Sequence, residues 1–332
     1  MKSNLLKKDF LICLLLLIIF IILPFIYPSR YFIGQITIFF IWTTVISQWN
    51  IVFGYAGIFS LAQMAIFAVG GYATGMLALY FDLSLWLTLP LGGIVAVIFS
   101  ILIGLACLRL SGPYVALLTL AIAQTIYLLI ITDTYCFFYE GVTCRNFTGG
   151  TRGLTNYGDF GFRQLLPYKY QSFGNYYLAM VVMFLSLLFT FFVIRGPLGF
   201  AFKALRDNPI CAVSRGLNRV KFQLVIFSVS AFFTGCAGGI FAGHFQVMGA
   251  NTLYMSLLLY LLSMMVIGGL GTPWGPILGT ACLMIADEFL KELIEWRLAG
   301  LGIILMCFII LYPKGLSGFL EAFSKKTTIR KL

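Results

Sequence analysis

Charge is what this sequence has least of. Of its 332 residues only 10% are Asp, Glu, Lys or Arg, against about 25% in a soluble chain, while 61% are hydrophobic. A water-soluble fold is thereby excluded, because a body of this size could not hide so much apolar surface, 33 Phe and 17 Tyr included, from water. Histidine is almost missing as well. His244 stands alone, which excludes a His-based catalytic dyad and a multi-histidine metal site, and it reads as a packed or gate-lining residue. No Gly-xxxx-Gly-Lys-Ser/Thr run occurs, so the chain has no phosphate cradle of its own for ATP. Acids number 11, and none sits at the centre of an apolar run. Asp133, Asp287 and Glu288 fall near run ends and Glu292 and Glu295 on a turn, which argues against proton coupling through buried carboxylates. The net charge of +11 does not indicate nucleic acid, since the 22 Lys and Arg punctuate apolar runs instead of clustering on a polar domain.

What the sequence does have is solid apolar runs near twenty residues, the length a helix needs to cross about 30 Å of hydrocarbon. A membrane β-barrel would show alternation over shorter segments instead. The run 5–27 is too long for a signal peptide, and no small-x-small cleavage site follows Pro24 and Pro28, so it reads as a retained first helix. Apolar segments fall at about 10–28, 32–50, 52–80, 86–108, 112–133, 176–194, 222–244, 250–270, 273–290 and 297–313. The expectation is an all-α polytopic membrane protein with about ten transmembrane helices, a single transmembrane domain over 1–332. The segment 52–80 is long for one helix and carries Gly54, Gly57, Gly70, Gly71 and Gly75; a short broken helix followed by a full one is the alternative.

Positive charge assigns sidedness. With the N-terminus cytoplasmic, the inward segments are 1–9, the turn near 51, 109–111, the loop 195–221, the turn 271–272 and the tail from 314, and they hold 15 of the 22 Lys and Arg. The outward side keeps seven although it owns the longest loop, 134–175. Both termini are therefore expected in the cytoplasm. Ten spans divide five and five around 134–175, and an odd number per half would invert one half relative to the other, an inference from count alone.

Three polar or small-residue segments interrupt the apolar pattern. Asn50, Gly54, Tyr55, Gly57, Ser60 and Gln63 lie close together in a stretch that otherwise reads as membrane. They suit either a broken helix lining a conduit, with its freed backbone groups satisfied by protein or water, or close helix packing through small residues. Gly268, Gly269, Gly271, Gly275 and Gly279, with Pro273 and Pro276, form an inward turn that is either bland or a hinge. In the loop 195–221, Gly196 breaks the chain, a short helix carries Lys203, Ala204 and Arg206, and a second runs from Pro209 to Arg215 before Gly216 ends it. Its Lys and Arg suit anionic lipid headgroups, and the mixed face of Phe202, Leu205, Ile210 and Val213 suits a protein partner. Among eight cysteines, Cys136 and Cys144 share the outer loop, where an oxidising compartment allows a disulfide.

Six motifs in order resemble the permease family of branched-chain amino acid ABC transporters: the run from Asn50 to Gln63, Leu108-Arg-Leu-Ser-Gly-Pro-Tyr, Thr148-Gly149-Gly150-Thr-Arg-Gly153-Leu, Ala204-Leu-Arg-Asp-Asn, Gly216-Leu-Asn and Gly268-Gly-Leu-Gly-Thr-Pro-Trp-Gly-Pro. The resemblance covers roughly 35–320. It implies a bacterial inner-membrane permease that pairs as a heterodimer with a second, homologous permease, two cytoplasmic ATPases and a periplasmic or lipid-anchored substrate-binding protein. ATP and Mg would sit on the ATPases, with no cofactor on this chain. It also implies that Ala204, Leu205, Arg206, Asp207, Asn208, Ile210, Ala212 and Gly216 belong to the helix that docks on an ATPase. The family commonly has a Glu-Ala-Ala-like run before the glycine matching Gly216, whereas this chain has Pro209-Ile-Cys-Ala-Val-Ser-Arg, with Val213 in the place of the acid. Some relatives carry urea or short amides. A gradient-driven secondary carrier is the alternative from a different class, and an integral-membrane enzyme a third.

Overall fold

Hydrocarbon offers the backbone no partners, so long apolar runs must satisfy their own N–H and C=O groups as helices. The computed structural model describes residues 2–107, 110, 112–140, 143–162, 167, 171–292, 297–312 and 315–318. Arg109, Lys314, the tail from 319 and the side chain of Cys144, all singled out above, lie outside the described residues. The chain forms α1 (Lys2–Ile26), α2 (Arg30–Asn50), α3 (Gln63–Phe81), α4 (Leu85–Cys107) and α5 (Pro113–Ile131). Then follow α6 (Gln171–Arg195), the short α7 (Pro197–Asp207) and α8 (Pro209–Ser214), α9 (Arg219–Phe245), α10 (Met255–Gly268), α11 (Gly275–Leu290) and α12 (Arg297–Leu311).

Among the described residues six helices are long and apolar enough to cross a membrane: α2 with its extension to Tyr55, α3, α4, α5, α6 and α9. Shorter apolar helices occupy Cys13–Ile26, Met255–Gly268 and Ala299–Phe308. The chain is an all-α, multi-pass membrane protein. The span expected at 250–270 is shorter than its hydropathy suggested, because Ala250–Leu253 winds into a 3-10 turn and leaves α10 with 14 residues, about 21 Å of helix.

The core is built around α2, in which every residue from Phe40 to Asn50 is buried. Most of its buried polar side chains find a protein partner, Thr43 Oγ1 being an exception. The Thr37 and Thr44 hydroxyls donate to the carbonyls one turn back, both at 2.8 Å. Ser47 Oγ lies 3.1 Å from Thr190 Oγ1 on α6, and Gln48 Nε2 donates to Ser186 Oγ and Thr190 Oγ1 at 3.2 Å. Such interhelical bonds average about 0.6 kcal/mol each, modest in energy but directional enough to fix register. On the other side, α3, α4 and α9 pack backbone to backbone: a Cβ on Gly70 would stand 2.3 Å from the Cα of Gly235. Gly70, Gly71 and Gly75 lie within a continuous α3; the break in 52–80 falls before Gln63.

Contacts between connections sort the two ends of the bundle. At one end, the segment after α2, the loop from 196 to 218 and the turn from 269 to 274 meet, and this end carries Lys203, Arg206, Arg215, Arg219 and Lys221. At the opposite end the Tyr80 hydroxyl donates to Phe147 O (2.7 Å), Trp86 Nε1 to Phe160 O (3.0 Å) and the Tyr157 hydroxyl to Ala242 O (2.8 Å). Inside the expected loop 134–175, β1 (Cys136–Glu140) and β2 (Thr143–Asn146) form an antiparallel hairpin, and β3 (Leu154–Thr155) pairs with β4 (Val247–Met248). Cys136 is disulfide-bonded. Thr148 donates its N–H (2.7 Å) and hydroxyl (2.6 Å) to the Asp133 carboxylate, and Gly149, Gly150 and Gly153 turn the chain back against the end of α5 with φ of +79°, +54° and +80°. Also at this end, Tyr31 donates to Glu288 (2.7 Å) and Lys291 bonds to both. Slight desolvation lowers the Lys291 ammonium, but these bonds outweigh it and hold it above its usual range.

Candidate functional site

The informative geometry lies at the basic end, where α2 does not stop cleanly. It continues as a π-helical turn, Ile51–Tyr55, whose wider ring is closed by the Ala56 N–H on Ile51 O at 3.1 Å. Beyond it the chain leaves the helix until Gln63. Protein groups satisfy the opened backbone: Trp49 Nε1 donates to Ser60 O (2.8 Å), Thr119 Oγ1 accepts from the Leu61 N–H (2.9 Å), and Ser60 Oγ accepts from the Ala62 N–H (3.3 Å). Gln63 opens α3 and donates to Thr234 Oγ1 on α9.

Two other segments close on this break. Asn50 is fully buried and uses both ends of its amide on the turn before α11: Oδ1 accepts from the Gly271 N–H at 2.9 Å, and Nδ2 donates to Thr272 O at 2.8 Å. From α7, Arg206 Nη1 donates to Gly54 O at 2.7 Å while its Nε bonds to Asp207 at 3.0 Å. The Arg206 stem covers Gly57, where a Cβ would meet Cγ at 2.4 Å and where φ is +69°, so this contact requires glycine twice over. Gly54 is equally confined, with Gly271 N 2.4 Å from the site of a Cβ. Lys203 Nζ lies 5.5 Å from the Tyr55 ring centre, a cation–π distance. Ser317 donates to Gly268 O at 2.7 Å and touches Thr272 Oγ1, adding a fourth strand of chain to the junction.

Of the conduit candidates, Gly57 lines a cavity of about 210 Å³ beside the junction, together with Leu205, Arg206 and Arg219. Asn50, Gly54, Tyr55, Ser60 and Gln63 are buried among protein groups. In the loop, Asn208 caps α8 by accepting from the Cys211 N–H at 3.0 Å, Ala212 is buried, Ala204 and Asp207 are exposed, and Gly216 ends the turn at φ +88°. Phe202 corrects one expectation. It does not share an outward face with Ile210 and Val213 but is buried with Gly199 and Ala201, its ring 6.0 Å from that of Phe222. The reason is helical: α7 turns that side of itself toward the bundle, while on α8 Ile210 is 84% and Val213 49% exposed as the apolar part of the free face. In the third segment, Gly268, Gly275 and Gly279 sit where α10 and α11 cross, a Cβ on Gly279 falling 1.9 Å from Met264 O; Gly269 and Gly271 carry the turn at φ +105° and +72°. Thr272 and Ser317 were not singled out from sequence, since an isolated Thr or Ser beside a glycine turn carries no signal there.

A bundle of apolar helices, its central helix broken and clasped at the break by a basic two-helix loop, defines a multi-pass membrane protein. Residues 31–312 match the family described as branched-chain amino acid transport system / permease component, and the chain belongs to that family. It is 28% identical over 330 residues to the high-affinity branched-chain amino acid transport system permease protein LivM of Salmonella typhimurium, covering 93% of this chain and 75% of that one. It is likewise 28% identical to LivM of Escherichia coli over 335 residues, 95% of this chain and 76% of the relative. No solved structure matches it.

Proposed function

We propose that this chain is the membrane subunit of an ATP-driven importer of branched-chain amino acids in the bacterial inner membrane, working by alternating access. The observation that carries the reading is the Arg206 to Gly54 bond, which ties the exposed loop directly to the break in the central helix. On this reading Ile210 and Val213 dock on a cytoplasmic ATPase, two of which hold ATP and Mg. Displacement of α7 and α8 pulls on Gly54 through Arg206, and Asn50 relays the shift to the turn between α10 and α11. One loop thus biases α2, α3, α10 and α11 together. A second, homologous permease completes the membrane part, a periplasmic or lipid-anchored binding protein delivers solute, and both termini face the cytoplasm. The relatives' names support branched-chain amino acids as cargo.

Proteoliposomes test this. The chain with its ATPases, partner permease and binding protein is expected to accumulate leucine only when ATP is supplied inside the compartment that holds the ATPases. Accumulation by the chain alone under an ion gradient would replace the proposal with a secondary carrier. Uptake of urea or acetamide in preference to leucine would change the cargo and leave the mechanism.

A further inference from the structure

α5 is the span that the rest of the chain covers least: 28% of its apolar stretch is buried, against 83% for α2 with its extension. One side of it, with Val115, Ala116, Thr119, Ala123 and Ile130, packs into the bundle. The remainder is not a plain lipid surface. Gln124 lies half-buried, with seven residues, about 10 Å, between it and the nearer end of the helix. Gln48 and Gln63 bond their amides to α6 and α9. Gln124 has no hydrogen-bond partner among the described residues, and its amide is not enclosed by the bundle. From that depth the side chain is too short to snorkel to the headgroups, and hydrocarbon offers its donors and acceptor nothing to bond. By contrast, the exposed residues Ile98 and Leu102 of α4 and Leu185 and Leu188 of α6 are apolar, as contact with lipid requires.

The residues around Gln124 form a seam. Leu117, Ala121, Gln124 and Leu128 follow at intervals of four, three and four, the spacing that lines residues up along a helix packed against another at a shallow angle. Leu117, Ala121 and Leu128 are exposed, Ala121 is small enough to allow close approach, and the exposed Thr125 hydroxyl is already satisfied by Ala121 O at 2.8 Å. We propose that this seam is where the second permease seats, one of its helices lying along α5 and hydrogen-bonded to the Gln124 amide. The amide excludes lipid as the occupant, and self-complementarity favours a homologous subunit over an unrelated protein. An amide both donates and accepts, so a stripe centred on one matches a copy of itself. Two homologous subunits related by an approximate two-fold axis meet through the same face of each. The proposal rests on the two-permease reading above and adds to it the face of this chain that the pairing uses, with Gln124 fixing the register.

The test is photo-crosslinking in membranes that hold the complete importer. The photoreactive residue benzoylphenylalanine, introduced at Leu117 or Leu128, is expected to join this chain to the second permease on irradiation, and at Ile98 or Leu102 on α4 to give no such adduct. Gln124→Leu is expected to lower the amount of second permease that co-purifies by about 3- to 20-fold, which is what interhelical hydrogen bonds of about 0.6–1.7 kcal/mol amount to. The unfolding midpoint of the chain alone should not fall, since no group within the chain loses a partner. Ala121→Trp, which fills the seam, should abolish co-purification and likewise leave the midpoint in place. Adducts to lipid alone at Leu117 and Leu128, with ATP-driven leucine uptake intact, would overturn the seat and leave the importer reading standing. So would full retention of the second permease by Gln124→Leu and Ala121→Trp; loss of uptake alone in these variants would place the amide beside solute instead. Adducts joining two copies of this chain would overturn the choice of occupant and the heterodimer with it. Absence of ATP-driven uptake of any amino acid by the complete wild-type system, with no adduct at either position, would overturn both readings.

Discussion

Replacing Arg206 by Ala should separate ATP hydrolysis from transport. Its Nη1 donates to Gly54 O at 2.7 Å, a charge-assisted bond of the kind that contributes about 1.5–3 kcal/mol when sheltered. The side chain is 39% exposed, so solvent screening reduces this to about 1–2 kcal/mol. At about 1.4 kcal/mol per decade, that is about 5- to 30-fold in how strongly the loop's position biases the break after α2. The assay is leucine accumulated per ATP hydrolysed in proteoliposomes containing the full set of subunits at matched incorporation. Arg206→Ala should keep ATPase activity and lose most of the accumulation. Asp207→Asn, which touches only the exposed Nε side of the guanidinium and is itself 66% exposed, should change the ratio little. An unchanged solute-to-ATP ratio in Arg206→Ala would refute the claim that this contact carries motion into the bundle.

Other outcomes follow from the same geometry. Ile210→Asp should abolish ATPase co-purification without lowering the unfolding midpoint of the chain, because a side chain 84% exposed adds nothing to the folded core but about 1.5–3 kcal/mol to an interface that buries it; retained ATPase would remove Ile210 from the docking face. Asn50→Leu should lower the midpoint in detergent, since Gly271 N–H and Thr272 O lose their partner at about 1–3 kcal/mol each; an unaltered midpoint would mean water replaces the amide. Single cysteines at Asn156 and Asn218, in a variant lacking the native exposed thiols, should react with an impermeant reagent from opposite faces of the membrane, and same-side reaction would break the assignment of the two ends.

Hydropathy made the long helices legible, because hydrocarbon thickness fixes both their length and their composition. The break before α3 was legible only as one of two alternatives, since Gly54 and Gly57 crowd a stretch that otherwise reads as span. The two-helix form of 197–214 could be read from Gly196, Asn208-Pro209 and Gly216 as local punctuation. The meeting of three segments could not, because Arg206 and Gly54 lie 152 residues apart and Asn50 and Gly271 lie 221 apart, and no local pattern encodes a partner at such separations. Phe202 was misplaced because periodicity marks Leu198, Ala201, Phe202 and Leu205 as the apolar stripe of α7 but does not say whether the bundle or a partner covers it.

The reach of the Asn50 amide also dictates an order of events while the chain is being made. Synthesis runs at about 5–20 residues per second, so the 221 residues between Asn50 and Gly271 take roughly 10–45 s to appear. Throughout that interval α2 is already in the bilayer with a carboxamide at its end and no turn to receive it. Gln48, whose nearest partner on α6 lies 138 residues downstream, waits for part of the same time. The most buried helix of the finished bundle is therefore among the least satisfied during insertion, and the half-made protein is the form with most to gain from a membrane chaperone or from early contact with another subunit.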